Sequence, residues 1–189
     1  METLLKSSVK DVIEAIEATV STQQEVIVSI VDSIVSSISS GGKLLLCGNG
    51  GSAADCQHIA AEFVNRFKME RVPLAAVALT TDTSILTAVA NDYSFLQVFS
   101  KQVQALGKAG DVLIGISTSG SSPNVIEAIK VGKDLGLVTV GFTGAKGSEM
   151  TQLCDMVLMA QSLDTPRIQE VHIFCAHVIC EMVERRLFE

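Results

Sequence analysis

Residues 43–63 read KLLLCGNGGSAADCQHIAAEF, and three patterns follow one another within them. Leu44–Cys47 is a short continuous apolar run, which suits a strand buried on both faces. Gly48, Gly50 and Gly51 then allow tight turning and close approach of a bound group. Ser52 stands where a helix begins, and apolar residues recur at helical spacing as far as Phe63.

The same succession continues along the chain. KLLLCG, LAAVALT, DVLIGIS, LVTVGFTG and MVLMA are each short, apolar and bounded by Gly, Asp or Thr, as buried strands are. The stretches between them have room for crossover helices. Strands alternating with helices imply a central parallel sheet of about five strands covered on both faces, a doubly wound α/β architecture. Ahead of it, residues from about 4 to 40 keep a helical period, with STQQ (21–24) as the expected break between two helices. The second of these, EVIVSIVDSIVSSISS, is apolar around more of its circumference than one-sided packing needs, so burial against a partner chain is expected. At the other end, Thr165 is the expected N-cap and Pro166 the first position of a long final helix.

Composition excludes several classes. The chain has 189 residues, 48% of them hydrophobic, which fits one well-buried domain and not a disordered segment. Every apolar run falls short of the roughly 20 residues a membrane span requires. METLLKSSVKDVIEAIEATV places acidic residues among its apolar ones and lacks a basic start, so no signal peptide is expected and the protein is expected to be cytoplasmic. Five scattered cysteines fit reduced, buried thiols. A net charge of −7 argues against broad nucleic-acid binding, because a phosphate backbone must meet a basic surface. Any anionic ligand must therefore be held locally.

In an open parallel sheet, ligands bind beyond the carboxyl ends of the strands, which directs attention to GNGGSAAD (48–55) and STSGSSPNV (117–125). Hydroxyls and helix-start amides in both make a neutral, lysine-free cradle for an anion, a phosphate above all. Gly48, Gly50 and Ala53 fit GxGxxA loosely, but Asp82 lies about 30 residues on, where the acid of a dinucleotide site is expected after about 20. The Walker pattern fails for want of its lysine. His58, Glu62 and Arg66 are spaced four apart, on one face of a helix. His172 and His177 share the last helix with Gln169, so a histidine, carboxylate, amide and histidine from two helices are candidate zinc ligands. Asn91 and Asp92 read on their own as an Asx turn.

Taken together and in order, CGNGGSAADCQHIAAEFVNRF, LTTDTSILTAVANDYSF, GISTSGSSPNV and RIQEVHIFCAH resemble the sugar isomerase (SIS) domain proteins and, within them, the phosphoheptose isomerases. The glycine and serine loops are shared by many SIS proteins. Their combination with Gln-His-x-x-x-Glu and Arg-Ile-Gln is much more specific. The resemblance covers nearly the whole chain and implies a single flavodoxin-like α/β/α SIS domain over 1–189, its first 40 or so residues serving oligomerisation and the remainder forming the core. It further implies a homotetramer with sites shared between subunits. Asn49, Gly50, Gly51, Ser52, Asn91 and Asp92 would contact a sugar phosphate. Ser117, Thr118, Ser119 and Ser122 would hold its phosphate, and Gln169 would contact the substrate too. His58, Glu62, Gln169 and His177 match the family's zinc positions, one ion per subunit, and Glu62 and His177 match its base and acid. Some members have an acid where this chain has Pro166, so no role of that acid transfers.

The implied reaction converts sedoheptulose 7-phosphate to D-glycero-D-manno-heptose 7-phosphate through an enediol, the first step of ADP- or GDP-heptose biosynthesis. A rival reading comes from close SIS relatives that are non-catalytic tetramers binding the bacterial replication initiator protein. Those lack the acid/base pair, whereas Glu62 and His177 are both present here.

Overall fold

A computed structural model of the chain describes residues 1–146 and 148–189. Among them, five strands form one parallel sheet: β1 (Leu44–Gly48), β2 (Ala76–Ala78), β3 (Val112–Ile116), β4 (Val138–Gly144) and β5 (Met156–Ala160). Their spatial order is β2-β1-β3-β4-β5, the flavodoxin-like arrangement. The helices are α1 (Glu2–Ser39), α2 (Gly51–Val64), α3 (Thr83–Asp92), α4 (Ser100–Leu106), α5 (Pro123–Asp134), α6 (Glu149–Leu153) and α7 (Thr165–Phe188).

Side chains alternate across the pleat, so each strand supplies two cores. Leu44, Leu46, Ile114, Ile116, Val140 and Phe142 pack with Ile30 and Ile34 of α1, Ile59 and Phe63 of α2, and Val171 of α7. Leu45, Cys47 and Leu113 pack on the opposite face with Val103 of α4, Ile129 of α5 and Met150 of α6. Both faces being covered explains why β1 and β3 are apolar without interruption.

The N-terminal segment departs from expectation in two ways. It is one helix of 38 residues, about 57 Å at 1.5 Å per residue, and STQQ does not break it. The polar residues here serve the sheet's edge: Gln23 Oε1 accepts the Met159 N–H (3.2 Å) and Thr19 Oγ1 accepts the Gln161 N–H (2.9 Å), donors that β5 has no further strand to satisfy. Secondly, Ile27, Ile30, Val31 and Ile34 of the apolar second half are buried within this chain. It is the first half that leaves Leu4, Leu5, Val9 and Ile13 exposed.

At the final helix the N-cap is Asp164, one residue earlier than expected, which makes Thr165 and Pro166 its first two residues. All five cysteines are free, and four are buried. Among the described residues, no helix is long and apolar enough to cross a membrane.

Candidate active site

β1 and β3 lie side by side, Gly48 level with Ile116, although β2 separates them in the chain. The chain leaves β1 in one direction to form β2 and returns on the other side as β3. Their carboxyl ends therefore flank the point where strand order reverses, the usual ligand crevice of such sheets. The glycine loop leaves one strand and the serine loop the other. A pair of amides ties the loops together: Asn49 donates to Asn124 (2.8 Å) and Asn124 donates back (2.9 Å). Asn124 is buried, and nothing in its local sequence distinguishes it from an ordinary first-turn residue after Pro123.

In the serine loop, Ser117 Oγ lies 2.9 Å from Ser122 Oγ and 3.3 Å from Ser119 Oγ. Thr118, Ser119 and Ser121 line a cavity of about 360 Å³, together with Lys146, Ser148, Ser162 and Thr165. The cradle is thus not lysine-free. Lys146 comes from the loop after β4, another carboxyl end of the same sheet, and sequence reasoning confined to the loops after β1 and β3 passed it over.

Gly50 caps α2 and Ser52 is buried in its first turn. The backbone of Gly51 meets the Gln169 carboxamide so closely that a Cβ there would collide with it. This close approach is what requires glycine, and it seats the start of α7 on the glycine loop. Farther along, His58 Nε2 is 2.8 Å from His177 Nε2 and 3.4 Å from Glu62 Oε1. One imidazole must therefore donate and the other accept. Phe67 stacks on His177 with ring centroids 5.5 Å apart. Burial lowers the His177 pKa, the neighbouring His58 lowers it further, and Glu62 opposes both. His177 consequently favours the neutral imidazole, which can accept a proton at one nitrogen and donate from the other.

Two nitrogens and a carboxylate oxygen converging from α2 and α7 are a donor set that suits zinc. The 2.8 Å between the imidazoles is shorter than the roughly 3.3 Å kept by two ligands of one tetrahedral ion, so the two rings would have to separate to share one. Among the described residues, no three His, Cys, Asp or Glu side chains form a ready-made cage. Arg66 does not continue the His58–Glu62 face, because α2 ends at Val64; it is half exposed and approaches Glu70 at 3.5 Å. Asn91 and Asp92 end α3, exposed and bonded to each other (2.8 Å). Among the described residues, no side-chain hydrogen bond joins them to either loop.

His172 faces away from this group. Its Nε2 donates to the Thr143 carbonyl (3.1 Å), its ring meets Phe142, and burial pushes its pKa down to about 4, a shift that the Thr143 bond opposes. The unfolded histidine titrates near 6.5, so between those values the unfolded chain binds the proton that the folded chain refuses. Stability is complete above pH 6.5 and falls as the pH drops toward 4. From pH 7 to pH 5 the loss from this group is about 2 kcal/mol. Urea unfolding at both pH values is expected to show His172→Gln, which keeps an N–H for Thr143, losing about that much less. Unchanged acid sensitivity in the variant would exclude the imidazole as its source.

A family model described as SIS domain matches residues 8–144. A phosphoheptose isomerase of Roseiflexus sp. (strain RS-1) is 57% identical over 185 residues, 94% of each chain. One from Clostridium acetobutylicum is 50% identical over 190 residues, covering 100% of this chain and 97% of its own. The solved phosphoheptose isomerase of Neisseria gonorrhoeae superposes with a TM-score of 0.92 at 43% identity, over 97% of this chain and 98% of that one. Identity of this extent over nearly the whole chain shows that the chain belongs to the phosphoheptose isomerase family of SIS domain proteins.

Proposed function

We propose that this protein isomerises sedoheptulose 7-phosphate to D-glycero-D-manno-heptose 7-phosphate, supplying the first intermediate of nucleotide-activated heptose. The placement of Glu62 and His177 on either side of His58, each next to its imidazole, carries this reading, because aldose–ketose conversion needs one group for a carbon-bound proton and another for the oxygens. Glu62 takes the proton from C1 of the ketose and returns it to C2 of the enediol. His177 moves the hydroxyl proton, O1 losing one as O2 gains one. Ser117, Thr118, Ser119 and Ser122 grip the phosphate, with Lys146 at the wall of the cavity that Thr118 and Ser119 line, while Asn49, Gly50, Gly51, Ser52 and Gln169 line the sugar. Asn91 and Asp92 complete the sugar contacts. Phosphate binding far from C1 fixes the reacting carbons, a contribution worth several kcal/mol.

His58, Glu62, Gln169 and His177 would hold one zinc ion per subunit. Bound there, zinc supplies polarisation of the carbonyl. The chain acts as a single SIS domain in the cytoplasm. The exposed Leu4, Leu5, Val9 and Ile13 of α1 support assembly into a homotetramer whose subunits share sites. The initiator-binding alternative is not favoured, since it leaves the convergence of His58, Glu62 and His177 without a use.

Incubating the protein with sedoheptulose 7-phosphate and zinc, and following the aldose C1 proton by NMR, is expected to show steady conversion. No conversion would favour the initiator-binding reading instead.

A further inference from the structure

The acid and the base come from different helices, so their separation depends on how α2 is registered against α7. Beneath them lies a buried ion pair. Arg71 Nε donates to Glu184 Oε1 at 3.0 Å, each side chain 2% exposed. Glu184 stands two helical turns beyond His177 on α7 and so shares its face. Its carboxylate also accepts the N–H groups of Phe67 (2.8 Å), Lys68 (2.8 Å) and Met69 (3.1 Å). The guanidinium's remaining nitrogens donate to the carbonyls of Glu62 (2.7 Å) and Phe63 (2.6 Å), which α2 leaves unpaired as it ends.

A continuous path of short contacts therefore runs from one reacting group to the other. It passes from the Glu62 carbonyl through Arg71 to Glu184, from Glu184 to the Phe67 amide, and from the Phe67 ring to the His177 ring. Stability alone is a poor explanation for such a pair. Desolvating two charges offsets most of their attraction, and an apolar pair of similar volume often serves a fold as well. What an apolar pair lacks is direction. The planar guanidinium and the two-oxygen carboxylate fix both helices at defined angles and distances.

We infer that Arg71 and Glu184 are positioning residues for proton transfer, setting the register of α2 on α7 and hence the placement of Glu62 relative to His177. This rests on the isomerase reading given above. A displacement of about 1 Å at a reacting group can cost about 10²-fold in rate. The phosphate-holding hydroxyls stand on the loop between β3 and α5 and share no hydrogen bond with the pair among the described residues. Phosphate binding and turnover are therefore separable.

The test compares kcat and KM of wild type, Glu184→Gln and Arg71→Lys on sedoheptulose 7-phosphate, with circular dichroism establishing that each is folded at the assay temperature. Glu184→Gln keeps the shape and one acceptor oxygen. Arg71→Lys keeps the charge but cannot reach Glu184 and both carbonyls together, and it decides the matter if the first variant does not fold. The expected result is a fall in kcat of about 10²-fold with KM within about twofold of wild type. A folded variant with a lowered melting temperature and full kcat would overturn the proposal, as would loss confined to KM. Absence of turnover by wild type would instead overturn the isomerase reading, and this inference with it.

Discussion

Glu62→Gln is expected to lower kcat for sedoheptulose 7-phosphate by roughly 10³-fold or more, with KM little changed. General acid–base catalysis contributes about 10²–10⁴-fold, and here the lost group would handle the carbon-bound proton twice, at C1 and at C2. Glutamine preserves the shape of a residue whose carboxylate lies 3.4 Å from His58, so packing between α2 and α7 should survive. Arg71 binds the backbone carbonyl at this position, not the side chain, and that bond is untouched. The phosphate loop is equally untouched, which is why the effect is expected in kcat and not in KM. The measurement is steady-state turnover with zinc supplied to both proteins, alongside circular dichroism. A folded variant within tenfold of wild type would remove Glu62 from the role of base.

Much of this architecture is legible because burial on both faces leaves a plain mark. The strands around Leu44–Gly48 and Val112–Ile116 are continuous apolar runs, and each ends at a loop that sheet topology makes functional. His58 and Glu62 are legible as neighbours because four residues make one helical turn. What the sequence hides is whatever depends on distant partners. STQQ looks like an interruption until Gln23 is seen to accept a hydrogen bond from β5, 136 residues away. Lys146 reads as an ordinary loop lysine, and only the neighbouring positions of β3 and β4 bring it beside Thr118. Asn124 gains its role from a single amide pair across the crevice. Spacing alone does not separate His177, which the resemblance selects, from His172; the physical difference is tertiary. Five residues apart on one helix, they face different surroundings, and one meets His58 while the other is buried against Phe142.

Gly120 is where the phosphate cradle is most exposed to a single added carbon. Its φ of +65° lies in the left-handed region, where an L side chain costs about 1–2 kcal/mol. Space is lacking as well: a Cβ would stand 2.5 Å from the Ser148 Cβ and 2.5 Å from Thr143 Oγ1, and would collide with Ser148 Oγ. Thr143 belongs to β4 and is fully buried, so the loop must give way instead of the sheet. The Gly120 N–H that donates to the Ser117 carbonyl (2.9 Å) ties any such movement to the hydroxyl cluster of Ser117, Ser119 and Ser122. Gly120→Ala is therefore expected to cost roughly 2–5 kcal/mol of stability, the sum of backbone strain and overpacking. It is also expected to raise KM for the sugar phosphate by more than about tenfold, because phosphate contacts depend on hydroxyl placement to within about half an ångström. Urea unfolding measures the first effect and steady-state kinetics the second, with kcat at saturation held near wild type because Glu62 and His177 stand on other elements. A destabilised variant with unchanged KM would show that the serine loop is not what holds the phosphate, and would move that role to the Lys146 side of the cavity.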